Sequence, residues 1–291
     1  MNPLIMHVVS GNAFFTGILL IIIAILMTFR KGNSVYRTAT RLIFIIGLIL
    51  TALTSTPIYM PLAILFYLLP IALMVLLYFD SISPKLIISL KIISILTCLT
   101  AGIIELTNCI IPDIAPLNCG KIYVVGDSVS AGIGFKGEKT WSEIVEEKTH
   151  IPVRNMSVGG GTVKSAQTKA HLIKDDNVLI FLEIGGNDML GRTPFPRYCQ
   201  ELDVLLGSLK GKNRTLIMLE LPWAPFHASF LKAQRELAIK HKVILIPRKV
   251  FSGVLEGSAS TVDGIHLSNY GQEKMANAFL NICGHALKRL K

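Results

Sequence analysis

Four short stretches of this chain carry side chains suited to nucleophilic acyl chemistry: Gly126-Asp127-Ser128, Asn155 with Gly160, Gly185-Gly186-Asn187-Asp188, and Asp263-Gly264-Ile265-His266. Ser128 offers a hydroxyl to attack an acyl carbon, His266 an imidazole to take its proton, and Asp263 a carboxylate to orient the imidazole. Asp263 and His266 stand three residues apart. One turn of chain therefore lets the carboxylate accept the Nδ1 proton while Nε2 faces the hydroxyl. None of the other six histidines has an aspartate three residues before it. The oxygen that becomes negative during attack needs donors, and three are on offer. They are the N–H of Ser128, the N–H of Gly160, which a ligand can approach because glycine lacks a Cβ, and the Asn187 side-chain amide. Ser130 reads as structural, and Asp188 as a residue that ties its own loop.

These motifs need elements to bring them together. Apolar runs at Ile122–Val125, Val178–Glu183, Thr215–Leu221 and Val243–Ile246 read as buried parallel strands, with a shorter one near Pro152–Arg154. Amphipathic segments at Thr140–Lys148, Arg197–Leu209, Ser229–His241 and Tyr270–Leu290 alternate with them. The alternation predicts an α/β fold with a parallel five-stranded sheet and helices on both faces. In such sheets ligands sit beyond the carboxyl ends of the strands. Gly126, Asn155 and Gly185 all lie where a strand is expected to end.

The chain is 291 residues long, 51% hydrophobic and only 16% charged, with a mean hydropathy of +0.55. That is too apolar for an ordinary soluble protein of this length. Charge is unevenly spread: six Lys or Arg against three Asp or Glu up to Gly120, and 23 against 16 from Lys121 onward, giving +10 overall. Four apolar stretches, about 13–29, 42–59, 62–79 and 86–111, predict an all-α transmembrane domain over residues 1–118, ahead of a domain over 119–291. Prolines between the second and third stretches mark a tight helical hairpin. Arg30, Lys31, Arg37 and Arg41 crowd the first connection, and Lys85 and Lys91 flank the third. By the positive-inside rule these connections are cytoplasmic and the second domain is extracytoplasmic. One miscounted crossing would flip it. The five cysteines fit either compartment; Cys109 and Cys119 are close enough in sequence for a bridge, and Cys199 and Cys283 read as buried thiols.

The order of the four motifs resembles the SGNH, or GDSL, hydrolase family over essentially all of 121–291. The likeness to the bacterial thioesterase I, lysophospholipase and arylesterase group runs through Val124–Gly132, Asn155–Thr162 and Leu182–Asp188. It implies a flavodoxin-like fold, Ser128 as nucleophile, His266 as base, Asp263 as its partner, and Ser128, Gly160 and Asn187 as the oxyanion hole. It also implies an ester substrate such as a lysophospholipid, an acyl thioester, a small aryl ester or an O-acetylated envelope glycan, and no cofactor. No Cys/His grouping has the spacing of a metal site, and the bacterial inner-membrane setting is read from the apolar stretches, on which the resemblance is silent. Leu267 stands where that group usually has proline, and Gly161 where it usually has a polar residue. The sequence leaves open transfer of the acyl group to a sugar hydroxyl instead of water, an inert membrane scaffold, and the oligomeric state.

A competing pattern, Gly132-Ile133-Gly134-Phe135-Lys136-Gly137, matches a dinucleotide fingerprint. Its first glycine falls six residues beyond the strand end, and Arg154 and Asn155 occupy the place of the ribose-binding acid. Its glycines are expected to shape a loop beside Ser128. No motif points to nucleic acid. Leu221–Phe226 offers aromatics that could wall an acyl chain or pack in a core, and His227 could touch a substrate.

Overall fold

Each N-terminal apolar stretch forms a helix, since leucine, isoleucine and alanine lose little in that backbone and nothing polar competes for its hydrogen bonds. In the computed structural model, which describes residues 2–79, 82–117, 119–135, 137–191 and 193–287, α1 (Pro3–Val9) is followed by α2 (Asn12–Met27), α3 (Ser34–Leu53), α4 (Met60–Leu76) and α5 (Pro84–Asn108). Helix α3 starts well before the apolar run at Leu42. Asn33 caps it, accepting from the Tyr36 N–H at 2.9 Å, so the basic segment becomes helical too. Apart from Pro3–Met6 of α1, these helices belong to one unit, His7–Ile110 with Ala224–Ala228. Its core includes Phe14, Ile21, Ile25, Phe44, Phe66 and Leu73. Helices α2 and α3 touch backbone to backbone: a Cβ on Gly17 would lie 2.7 Å from the Gly47 carbonyl oxygen. Small residues permit such contact where apolar burial alone drives association weakly.

The outer surface of this unit stays apolar, with Leu19, Leu26, Ile45, Ile49, Leu96 and Ile103 exposed. Helices α3 and α5 are each long and apolar enough to cross a membrane, and α1 with α2, bent by 86°, would make a third span. Helix α4 is shorter, at 17 residues, with Pro70 inside it.

The second unit comprises Met1–Met6, Ile111–Trp223 and Ser229–Lys291. Its strands are β1 (Lys121–Gly126), β2 (Val153–Asn155), β3 (Val178–Glu183), β4 (Arg214–Leu219) and β5 (Ile244–Ile246), all parallel, in the order β2-β1-β3-β4-β5. Helices flank the sheet on both faces: α6 (Ser128–Ala131), α7 (Trp141–Thr149), α8 (Val163–Ala170), α9 (Gly186–Leu190), α10 (Phe195–Ser208), α11 (Ala228–His241), α12 (Arg248–Leu255) and α13 (Asn269–Cys283). The expected helix to Leu290 ends at Cys283, and 288–291 lie outside the described residues. The short α6, α8, α9 and α12 were not expected from the sequence.

Two ring clusters fill the core. Trp141, Phe181 and Phe279 meet at 5.2–5.6 Å between centroids, and Tyr198, Trp223 and Phe230 at 4.8–5.7 Å. Burial of each ring contributes about 1.5–3 kcal/mol or more. Strand β1 lies between β2 and β3, so the chain leaves it and its neighbours in different directions. That switch point opens a crevice at the carboxyl edge. In register, Gly126 pairs with Glu183, which brings the ends of β1 and β3 to one level.

Candidate active site

Ser128 is held by the turn that ends β1. The Asp127 N–H donates to the Glu183 carbonyl at 3.2 Å, and the Asp127 side chain caps α6 by accepting from Val129 N–H at 2.9 Å. The hydroxyl of Ser128 lies 2.9 Å from His266 Nε2, and His266 Nδ1 lies 2.6 Å from Asp263 Oδ2. With Nδ1–H donated to the carboxylate, the Nε2 lone pair faces the hydroxyl, the tautomer a general base requires. The same carboxylate accepts the Ile265 and His266 N–H groups at 3.0 and 2.9 Å. The His266 side chain first, then the two backbone donors, hold Asp263 well below the ordinary carboxylate range.

The turn that carries this pair is closed locally. Val262 N–H donates to the His266 carbonyl at 2.9 Å, Thr261 pairs with Leu267, and Gly264 takes φ 97°, a conformation that L side chains rarely adopt. An apolar residue on each side of His266 could anchor this turn, but Ile265 is 44% exposed and Leu267 only 1%. Leu267 is the anchor. Behind it, Gly271 of α13 approaches so closely that a Cβ would lie 1.9 Å from the Ser260 carbonyl oxygen.

The three expected oxyanion donors differ in readiness. Among the described residues, neither the Ser128 N–H nor the Gly160 N–H donates to a protein acceptor. The Asn187 amide nitrogen already contacts Asp127 Oδ2 at 3.2 Å and the Gly161 carbonyl at 3.0 Å. Its two hydrogens are thus both engaged, and donation to an oxyanion would mean giving up a bond, the longer one to Asp127 being the weaker. Gly161 is wedged against this turn, with a built Cβ 3.2 Å from the Gly126 carbonyl oxygen.

Beneath the nucleophile lies a pair that sequence reasoning did not single out. Asp127 and Glu183, 4% and 1% exposed, hydrogen-bond to each other through their side chains. Ser130 Oγ donates to Glu183 Oε2 at 3.0 Å and accepts from Trp141 Nε1 at 3.3 Å. Burial pushes both carboxyls up, Glu183 furthest, and the Asp127 charge adds to the rise at Glu183. Two buried carboxyls in contact cannot both ionise cheaply, so the pair holds a proton and Glu183 carries it. The readable signal was an acid ending the otherwise apolar β3.

The remaining candidates find structural places. Asn155 donates to the Ser130 carbonyl at 2.6 Å and to Ser142 Oγ at 3.1 Å. Asp188 reaches beyond its own loop and accepts from Val163 N–H at 2.8 Å, where α8 begins. The glycine-rich segment after Ser128 is filled from within: Glu138 accepts the Ile133 and Gly134 N–H groups at 3.0 and 2.6 Å, taking donors that a phosphate would need. Lys136 of that pattern lies outside the described residues. Trp223 is buried against Tyr198 and Phe230, so it packs the core and does not wall a pocket, and His227 lies in Ala224–Ala228 of the helical unit. All five cysteines, Cys109 and Cys119 included, are free thiols. Among the described residues no group of three His, Cys, Asp or Glu could hold a metal.

Residues 124–274 match the GDSL-like Lipase/Acylhydrolase family. An arylesterase of Vibrio mimicus is 24% identical over 158 residues, covering 50% of this chain and 79% of its own. Esterase TesA of Pseudomonas aeruginosa is 25% identical over 167 residues, covering 53% and 83%. Among solved structures, one of TesA superposes with a TM-score of 0.51 at 22% identity, over 57% of this chain and 99% of that one. An esterase EstA from Pseudoalteromonas gives 0.50 at 17% identity, over 57% and 97%. Each likeness spans a little over half of the chain at most.

Proposed function

The chain belongs to the GDSL-like lipase/acylhydrolase family, and from that premise we propose that it is a membrane-anchored serine esterase that works through an acyl-enzyme on Ser128. The observation that carries this reading is the line from Ser128 Oγ through His266 to Asp263, at 2.9 and 2.6 Å. His266 takes the hydroxyl proton as Ser128 attacks the ester carbonyl, then returns it to the leaving alcohol or thiol. A water, deprotonated by the same imidazole, then releases the acid. The free N–H groups of Ser128 and Gly160 receive the oxyanion, and Asn187 joins them by exchanging its bond to Asp127.

We read the shorter α4 as a fourth crossing beside α2, α3 and α5; with Arg30, Lys31, Arg37 and Arg41 on the cytoplasmic side, the catalytic unit then lies outside the inner membrane. The exposed apolar surfaces of α2, α3 and α5 support the anchoring. Tethering favours esters held at that surface, such as lysophospholipids or O-acylated envelope glycans.

The test uses purified full chain, wild type and Ser128→Ala, on esters of graded acyl length with and without a sugar acceptor. Loss of roughly 10⁴-fold or more in kcat is expected. Equal turnover by both proteins would remove the nucleophile assignment, and acylated acceptor would turn hydrolysis into transfer. A reporter fused to the C-terminus reads the side of the membrane, and activity of a cytoplasm-only reporter would reverse the orientation.

A further inference from the structure

Six Lys and Arg precede Gly120. Four of them, Arg30, Lys31, Arg37 and Arg41, line one cavity of about 500 Å³, where α2 ends, α3 begins and α4 ends. Among the described residues none of the four has a carboxylate partner. The cavity is built as well as charged. The Arg41 guanidinium lies 4.2 Å from the centroid of the Tyr78 ring, and Tyr36 donates its hydroxyl to the Met27 carbonyl at 3.0 Å, fixing the floor. Lys91, buried and outside the lining, donates to the Thr28 carbonyl at 3.0 Å and sits 4.1 Å above the Phe29 ring, holding the end of α2. Met27, Met74 and Leu77 supply apolar lining beside the cations.

A topology signal needs cationic charge on one side of the membrane, anywhere along a connection. It does not need four cations to face one cavity, nor a guanidinium stacked on a ring beside an apolar wall. Planar guanidinium forks match phosphate oxygens, and basic pockets between membrane helices suit anionic headgroups. The geometry points to a binding site for a phosphate-bearing amphiphile, its phosphate among Arg30, Lys31, Arg37 and Arg41 and its acyl portion against Met27, Met74 and Leu77. The exposed apolar surface of the same helices makes the surrounding bilayer the source, so the ligand is an anionic phospholipid of that leaflet. The site rests on the membrane reading above and is independent of the ester chemistry.

Native mass spectrometry of detergent-solubilised full chain, offered equimolar phosphatidylglycerol and phosphatidylcholine, reads the preference directly. Wild type is expected to retain phosphatidylglycerol at least about tenfold over phosphatidylcholine, as a bidentate charged contact allows. The Arg37→Ala/Arg41→Ala variant should lose that preference. Lys85→Ala removes one positive charge outside the cavity and should keep it. Arg41→Lys keeps the charge, loses the planar stack and should bind more weakly than wild type. Ester hydrolysis on the same preparations should not change, which shows that each variant is folded and separates this result from the fate of the esterase reading. No lipid preference in wild type, or an equal loss in Lys85→Ala, would overturn the site. Displacement of the lipid by inorganic phosphate at equal concentration would overturn the lipid assignment in favour of free phosphate.

Discussion

Replacing Glu183 with glutamine tests whether the buried pair beneath Ser128 holds its proton on the glutamate. Folded Glu183 keeps a proton well above the ordinary value of 4.5, because burial and the Asp127 charge disfavour ionisation. The unfolded chain releases that proton near 4.5. Between that pH and the raised folded value the unfolded state binds fewer protons than the folded one. Wild-type stability therefore falls as pH rises, by about 1.4 kcal/mol per pH unit for one proton. Glutamine does not titrate, and Asp127 is present in both proteins. The melting temperature of Glu183→Gln should thus gain on wild type by roughly 3–6 °C per pH unit from about pH 5 upward, taking roughly 2–4 °C per kcal/mol for a domain of this size. Thermal melts followed by tryptophan fluorescence suit the measurement, because both tryptophans, Trp141 and Trp223, belong to the α/β unit. Glutamine can still donate to Asp127 and accept from Ser130, so kcat/KM should stay within about fivefold, one neutral hydrogen-bond exchange being worth about 1 kcal/mol. Glu183→Ala strips both partners and should cost at least about tenfold, since an unsatisfied buried polar group costs roughly 1–3 kcal/mol. Parallel melting curves across pH, or a glutamine variant as impaired as alanine, would refute a protonated Glu183.

Further outcomes follow from the same geometry. Asp263→Asn should lower kcat by roughly 10⁴-fold through the wrong histidine tautomer. Because Asp263 is held well below the ordinary carboxylate range, it stays ionised on mild acidification. A pH–rate profile of wild type should then place any acid limb above pH 4 on another group. Asn187→Ala should reduce kcat by roughly 10²- to 10³-fold with little change in KM, read from steady-state kinetics on a fast ester. Gly264→Ala meets no steric neighbour, yet it forces φ 97° on a residue with a Cβ. The strain of roughly 1–2 kcal/mol should appear as about a tenfold loss of kcat/KM with an unchanged far-UV spectrum. Gly271→Ala drives a Cβ to 1.9 Å from the Ser260 carbonyl and should lower the melting temperature through overpacking of roughly 1–3 kcal/mol.

The five strands and the long helices were legible because their signal is collective: a run of branched apolar residues, or a periodic stripe, survives a few exceptions. Helices α6, α8, α9 and α12 are too short for periodicity to register, and they arise where capping and tertiary contacts supply what propensity does not. Residues on opposite sides of a turn were harder. Whether Ile265 or Leu267 anchors the acid–base turn depends on which side faces α13, which the local sequence does not encode. Glu183 escaped notice for a different reason, since an acid in a buried strand makes sense only beside the second carboxyl and the hydroxyl that receive it, and those lie 56 and 53 positions away. The apolar wall assigned to Trp223 failed because an aromatic after a strand packs a core as readily as it lines a pocket.

The acid and base hang from one small turn, Val262–His266, closed by its own backbone and pinned at Leu267 and Gly271. They therefore form a detachable cassette. An in-frame excision of that turn would silence the chemistry in a single event while the sheet and its buried carboxyl pair survive, leaving a folded shell with an unemployed serine. The reverse graft, setting the same turn into a silent relative, would restore both groups at once with their mutual geometry already made.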